Sequence, residues 1–201
     1  DGVVGSDQVA TAKTYFERGA AVGRTDAQRE IANGYLLGLW PDSNPQQAQS
    51  ALAALIASGD PGATDMMIKA IAAGQITASL DEIDKMLDGA PHTAKSGDTF
   101  MKLVQLDESG GFGAPHADRQ AEWLRKAADA GNTQAMMRLY RAYAAGIGVA
   151  ASAETAALWL QKAAEGGDTR AAGELAAAYD VGFGVPIDPI KAAYWRDRAG
   201  Q

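Results

Sequence analysis

No cysteine occurs among the 201 residues, so disulfides, thiolate metal sites and cysteine nucleophiles are all excluded. Histidine is almost as scarce: only His92 and His116 are present, each beside a proline. A metal centre would need further ligands converging from elsewhere. Asp81, Glu82 and Asp84 precede His92, but a charged run on a helix is usually a solvated face. No metal and no cofactor is therefore expected. Basic residues are outnumbered, 18 Lys and Arg against 25 Asp and Glu, for a net charge of -7. That balance argues against a nucleic-acid partner, which needs clustered cations. No apolar run approaches the roughly 20 residues needed to span a bilayer. Sustained alternation rich in Val, Ile and Thr is lacking, and with it any sign of sheet. Nucleophile elbows, Cys–His pairs and the H-E-x-x-H motif are missing too, so no enzyme activity is expected.

What is there is a repeat. Trp123-Leu-Arg-Lys-Ala-Ala-Asp-Ala-Gly-Asn-Thr-Gln-Ala135 returns 36 residues later as Trp159-Leu-Gln-Lys-Ala-Ala-Glu-Gly-Gly-Asp-Thr-Arg-Ala171, and a third tryptophan, Trp195, follows after another 36. Leu139 matches Leu175, Tyr143 matches Tyr179, and Gly146-Ile-Gly-Val149 matches Gly182-Phe-Gly-Val185. Upstream, a glycine before a helix start is read at Gly23, Gly59, Gly97, Gly131 and Gly167, followed by Arg24, Asp60, Asp98, Asn132 and Asp168, of which all but Arg24 can accept a bond as an N-cap does. The tryptophan position then falls on Tyr15, Ala51 and Gly89 in the earlier units. Gly89-Ala-Pro91 fits a helix poorly, so the third unit is expected to carry a short or shifted second helix.

Each unit reads as two helices. The first carries Ala, Leu and Tyr at i, i+4 and i+8 (Ala135, Leu139, Tyr143; Ala171, Leu175, Tyr179), a single apolar stripe. It ends at a Gly-x-Gly, where a left-handed residue suits a helix terminus. Asn44-Pro45 and Asp188-Pro189 look like a cap followed by proline at the first helical position. The second helix carries Ala156, Trp159 and Ala163 on one face. Ala128, Ala164 and Ala172 would let neighbouring helices approach closely. The expected fold is all-α, a right-handed α/α superhelix of about five antiparallel helix pairs. It forms a single domain over 1–201, with units at about 23–58, 59–96, 97–130, 131–166 and 167–201 and residues 1–22 as the second half of a preceding unit. Leu139, Tyr143, Trp159, Leu175 and Tyr179 are expected in the core. Trp123, Trp159 and Trp195 share one place in the repeat, which favours packing over a carbohydrate platform. Trp40 falls off that register and is the one tryptophan that could face a ligand.

The pattern Ala-x3-Leu-x3-Tyr-x2-Gly-x-Gly-Val, then Ala-x2-Trp-x3-Ala, then Ala-x-x-Gly-[Asp/Asn], resembles the Sel-1-like repeat, a relative of the tetratricopeptide repeat. The match is specific over 111–201, fair over 20–75 and poor over 76–110. The resemblance implies a superhelical scaffold or adaptor that binds a protein on its concave face, in bacteria often in the envelope, including exopolysaccharide secretion and its regulation. A family branch linked to β-lactams carries paired cysteines in each repeat, and this chain has none. By analogy with tetratricopeptide repeats, Arg29, Asn33, Asp65, Lys69, Met137, Arg141 and Asp180 should line the groove, a mixture suited to a polar peptide. The alternative reading is a module that binds a saccharide or peptidoglycan fragment.

Asp1 is not a start methionine, which reads as removal of something upstream. A periplasmic or secreted location is expected, with the cytoplasm as the alternative. The final second helix, with Trp195, lacks a following first helix. Its outer side is therefore expected to be open, as in a fragment of a longer repeat protein or in self-association through that helix.

Overall fold

The computed structural model describes residues 6–89 and 96–200. Among them are eleven α-helices and no strand, in two compact units, Asp1–Lys95 and Ser96–Gln201. The first unit holds α1 (Ser6–Ala21), α2 (Thr25–Leu36), α3 (Pro45–Ala57), α4 (Ala63–Ala72) and α5 (Leu80–Gly89). The second holds α6 (Gly97–Glu108), α7 (Ala117–Asp129), α8 (Thr133–Ala145), α9 (Ala153–Glu165), α10 (Thr169–Val181) and α11 (Pro189–Ala199). Even-numbered helices are the first helices of a repeat, and odd-numbered ones the second.

Caps explain where the helices start. The side chains of Ser96, Asn132 and Asp168 accept from the backbone N–H three residues on, at Thr99, Ala135 and Ala171, satisfying donors that the helix leaves free. Asn44, Ser152 and Asp188 do the same for α3, α9 and α11. Ser79 and Glu82 exchange bonds ahead of α5, a capping box.

Those caps correct the register read from the sequence. Ser96, and not Asp98, begins α6, so the positions 24, 60, 96, 132 and 168 are spaced by 36 throughout. Gly97 is the first residue of the helix and not a left-handed joint before it. At the same spacing the tryptophan position between Ala51 and Trp123 is Leu87, which is buried, and not Gly89. The array is thus in step throughout, and α5 is described as far as Gly89, where the described residues break off. Residues 90–95, with Pro91 and His92, lie outside the described residues. One other expected cap does not form: Asp60 bonds the Gly62 amide instead, while Arg24, which has no acceptor, makes no capping bond.

Every first helix ends at a glycine on the same spacing. Gly38, Gly74, Gly110, Gly146 and Gly182 all have φ between 67° and 84°, a region that side chains disfavour. The helix reverses there, and the second helix folds back antiparallel to the first.

The core follows the stripe. Leu139, Leu175, Trp159 and Tyr179 are buried, as are Ala128, Ala164 and Ala172 at the close helix approaches. Tyr143 departs from expectation: it is half-buried, and its hydroxyl accepts from Arg125. Trp40 departs in the opposite direction. Its ring is only 7% exposed, its Nε1–H donates to the Ile31 carbonyl at 3.0 Å, and it lies so close over Gly34 that a Cβ there would meet the indole at 1.9 Å. The one tryptophan marked for a ligand is a core residue.

Candidate functional site: the face of the first helices

The residues expected to line a groove fall in both units, and each unit presents its own set. In the first, Arg29 on α2 donates to Asp60, whose side chain is almost wholly buried and also accepts from the Gly62 amide. Arg29 is thus tied to a carboxylate inside the unit. Asp65 and Lys69 pair along α4 at 2.9 Å, with Lys69 largely exposed. Asn33 is half-buried on α2.

In the second unit Arg141, half exposed, reaches Glu174 on α10 at 3.9 Å. Asp180 turns away from that pair and accepts from Arg196 on α11 at 2.7 Å. Met137 corrects the expectation: it is 4% exposed and packs in the core with Leu160, Leu175 and Trp195. The face of α8 that meets α9 and α10 takes Met137, while Arg138 and Arg141, one and four residues on, point outward.

Side chains not singled out in the sequence complete this face. Arg138 on α8 pairs with Glu108 at the end of α6. Glu174 serves Arg170 at 3.3 Å as well as Arg141. Burial pushes the Tyr140 hydroxyl's pKa upward, and the Glu174 carboxylate beside it adds to that shift. Opposite charges thus alternate across α6, α8 and α10, from Glu108 through Arg138 and Arg141 to Glu174 and Arg170. Comparing equal repeat positions could have hinted at this, since position 138 is Arg where its equivalent 174 is Glu.

Two clefts open beside these helices. One, of about 540 Å³, lies between α1 and α2 in the first unit, with Tyr15, Phe16, Arg18 and Arg29 among its walls. Tyr15 occupies the tryptophan position yet is two-thirds exposed. The other, of about 280 Å³, lies in the second unit, with a floor from α7 and α8 and with Glu108, Arg138 and Arg141 at its rim.

Beside the second cleft is a buried polar cluster. Asp107 is fully buried on α6 and accepts from the His116 amide at 2.7 Å, from His116 Nδ1 at 2.8 Å and from Gln120 Nε2 at 2.7 Å. Burial alone would raise its pKa, but those bonds outweigh it and hold the carboxyl below its usual range. The position is tyrosine in the next two units, Tyr143 and Tyr179. These bonds tie α6 to the start of α7, and the cluster reads as a brace between them. Among the described residues no group of His, Asp and Glu could hold a metal ion, and no helix is long and apolar enough to cross a membrane.

Helix pairs joined at left-handed glycines, with a charged face along the first helices, define an α/α repeat protein of the scaffold type. Comparison supplies the family. The Sel1 repeat matches residues 25–50, 121–132, 133–168 and 169–200, over half of the chain, and the chain belongs to the Sel1 repeat family. Members of this family generally act as protein–protein interaction scaffolds. The chain is similar in fold to a Sel1 repeat protein from Oxalobacter formigenes, with a TM-score of 0.64 at 22% identity over 97% of this chain and 56% of that one. It thus spans little more than half of that relative's length. It is also similar to c5321, a protective antigen present in uropathogenic Escherichia coli strains displaying an SLR fold, at 23% identity over 94% of this chain and 40% of that one, with a TM-score of 0.48. No curated protein matches the chain.

Proposed function

We propose that this chain is a protein-binding module that holds a segment of a partner protein against the face of its first helices, and that it is not an enzyme. The observation that carries this reading is the alternating charge across α6, α8 and α10, with Arg141 half exposed and only loosely engaged. Such a face gives register and specificity to a polar peptide more than it gives raw affinity. A saccharide platform would call for exposed indole faces, and all four tryptophans are buried.

The proposal extends to the bacterial envelope, and to exopolysaccharide secretion or its regulation, because the family resemblance implies that setting and a chain without cysteine suits the oxidising periplasm. Fractionation of cells expressing the native gene tests the compartment. The binding face is tested by photo-crosslinking. A photoreactive residue at the exposed Ala177 on α10 should capture a stoichiometric protein, whereas one at the exposed Glu122 on α7 should not. Capture from Glu122 alone would overturn the reading.

A further inference from the structure

The cleft of about 280 Å³ in the second unit lies at a joint that differs from the one after it in the residue following the closing glycine. In the following unit Phe183 comes directly after the closing glycine and packs against a core cluster that includes Leu160 and Ala178, the counterparts of Leu124 and Ala142. The residue in the same place here is Ile147, directly after Gly146. Its side chain is shorter, and it is 59% exposed. The space that Phe183 fills in one unit is left as a hole in the other, floored by Ala117, Ala121, Leu124 and Ala142.

Size and charge narrow what fits. Small-molecule sites run from about 300 to 1,000 Å³, so this cleft takes one large side chain and little more. Its rim carries two guanidiniums, Arg138 and Arg141, against one carboxylate, Glu108. The rim is therefore positive on a chain whose net charge is -7. Arg138 is held by Glu108, which fixes it in place. Arg141 touches its carboxylate, Glu174, only at 3.9 Å, and shares it with Arg170. A planar guanidinium with spare donors beside an apolar hole suits a carboxylate next to a large apolar side chain.

We infer that this cleft is the anchor point of the binding face and that it receives an acidic peptide segment of a partner protein, one aliphatic or aromatic side chain entering the hole and a neighbouring Asp or Glu bonding Arg141. The inference rests on the proposed role of the first-helix face and names the chemistry of what that face binds.

A random dodecapeptide phage library selected on the whole chain tests it, with the enriched peptides then measured by fluorescence anisotropy. The expected consensus is Asp or Glu beside Leu, Ile, Met or Phe. Ile147→Phe, which installs the side chain that the next unit uses, should plug the hole and weaken binding at least tenfold. Arg141→Glu should do the same, while Lys85→Glu on α5 should not. Thermal melting of each variant shows that the fold is kept. A basic or purely polar consensus, or no enrichment, would overturn the anchor. So would acidic peptides that bind both variants undiminished. In that last case crosslinks from Ala177 would still support the face, so the anchor and the broader reading fail separately.

Discussion

The two units close their first helices with the same left-handed glycine and then solve the next two residues differently. Two positions after that glycine stand Trp40 and Ile76 in the first unit, both buried, and Gly148 and Gly184 in the second. In the first unit the chain turns a large side chain inward. Trp40 lies on Gly34, and the α2 backbone must be bare at that point to take it. In the second unit the chain itself moves in. A Cβ on Gly148 would stand 2.0 Å from the Ala117 carbonyl oxygen, and one on Gly184 would stand 2.0 Å from that of Ala153. Each loop thus rests on the first turn of the preceding second helix. Phe112, at the same position in the third repeat, is half-buried and 6.2 Å from the Trp123 ring, an intermediate case. One joint can be sealed by a plug or by contact, and the two demand opposite residues at the same place.

The largest expected effect comes from removing a plug. Trp40→Ala and Trp159→Ala should each cost about 3–5 kcal/mol, read by chemical denaturation. An unchanged midpoint for Trp40→Ala would break the comparison, because the first unit would then not depend on its plug. Next come the glycines. Gly34→Ala should drive the indole out, and Gly184→Ala would combine a left-handed φ of 65° with a backbone overlap, for a loss of about 2–5 kcal/mol each. The signature differs: Gly34→Ala should expose an indole and red-shift tryptophan emission, and Gly184→Ala should lower the melting temperature with less change in emission.

Asp107→Asn should destabilise the second unit by about 2–4 kcal/mol, since three donors would lose a charged acceptor. The pH dependence has a definite sign. A carboxyl held below its ordinary range adds stability that is complete above the unfolded value, near 3.8, and is lost as pH falls through the lower folded value. Acid titration of the parent should show that loss below pH 4, and Asp107→Asn should flatten it.

The smallest effects separate two arginines that look alike in the sequence. Arg141→Ala should stay within about 0.5 kcal/mol of the parent. Arg29→Ala should cost about 1–3 kcal/mol, as it strands the buried Asp60. Arg29 is read from the sequence as a groove residue, and its tie to the buried Asp60 gives it a structural role as well. Equal melting temperatures for both variants would remove that distinction.

Much of the fold was legible because a 36-residue offset correlates many positions at once. The helix pairs, the buried Leu stripe, the proline-supported caps and the glycine stops all follow from it. The slip of two residues in the third unit came from anchoring on glycines. Ser96 carries the capping oxygen, whereas Gly97 has nothing that marks a helix start beyond its identity. Trp40 stayed open in the sequence because a residue off the tryptophan register can still be core when a glycine, here Gly34, clears room for it. Met137 was misread because a methionine two residues before a buried leucine can lie on either edge of the buried stripe, and only packing against α9 and α10 decides. The cleft beside Arg141 was illegible for a deeper reason. It arises from what Ile147 fails to fill, and a hole has no letter in the sequence.

The five left-handed glycines have a consequence for how such a chain can change length. Since Gly146 and Gly182 share backbone conformation and place, excising residues 147–182 would join Gly146 to Phe183 and hand the chain from one turn to an equivalent one. Such a cut keeps the helix register on either side of the joint. An alanine at either glycine would have to take the left-handed conformation, at about 1–2 kcal/mol. Recombination between like joints can therefore change the number of units by whole repeats while the register of the helices on either side is kept.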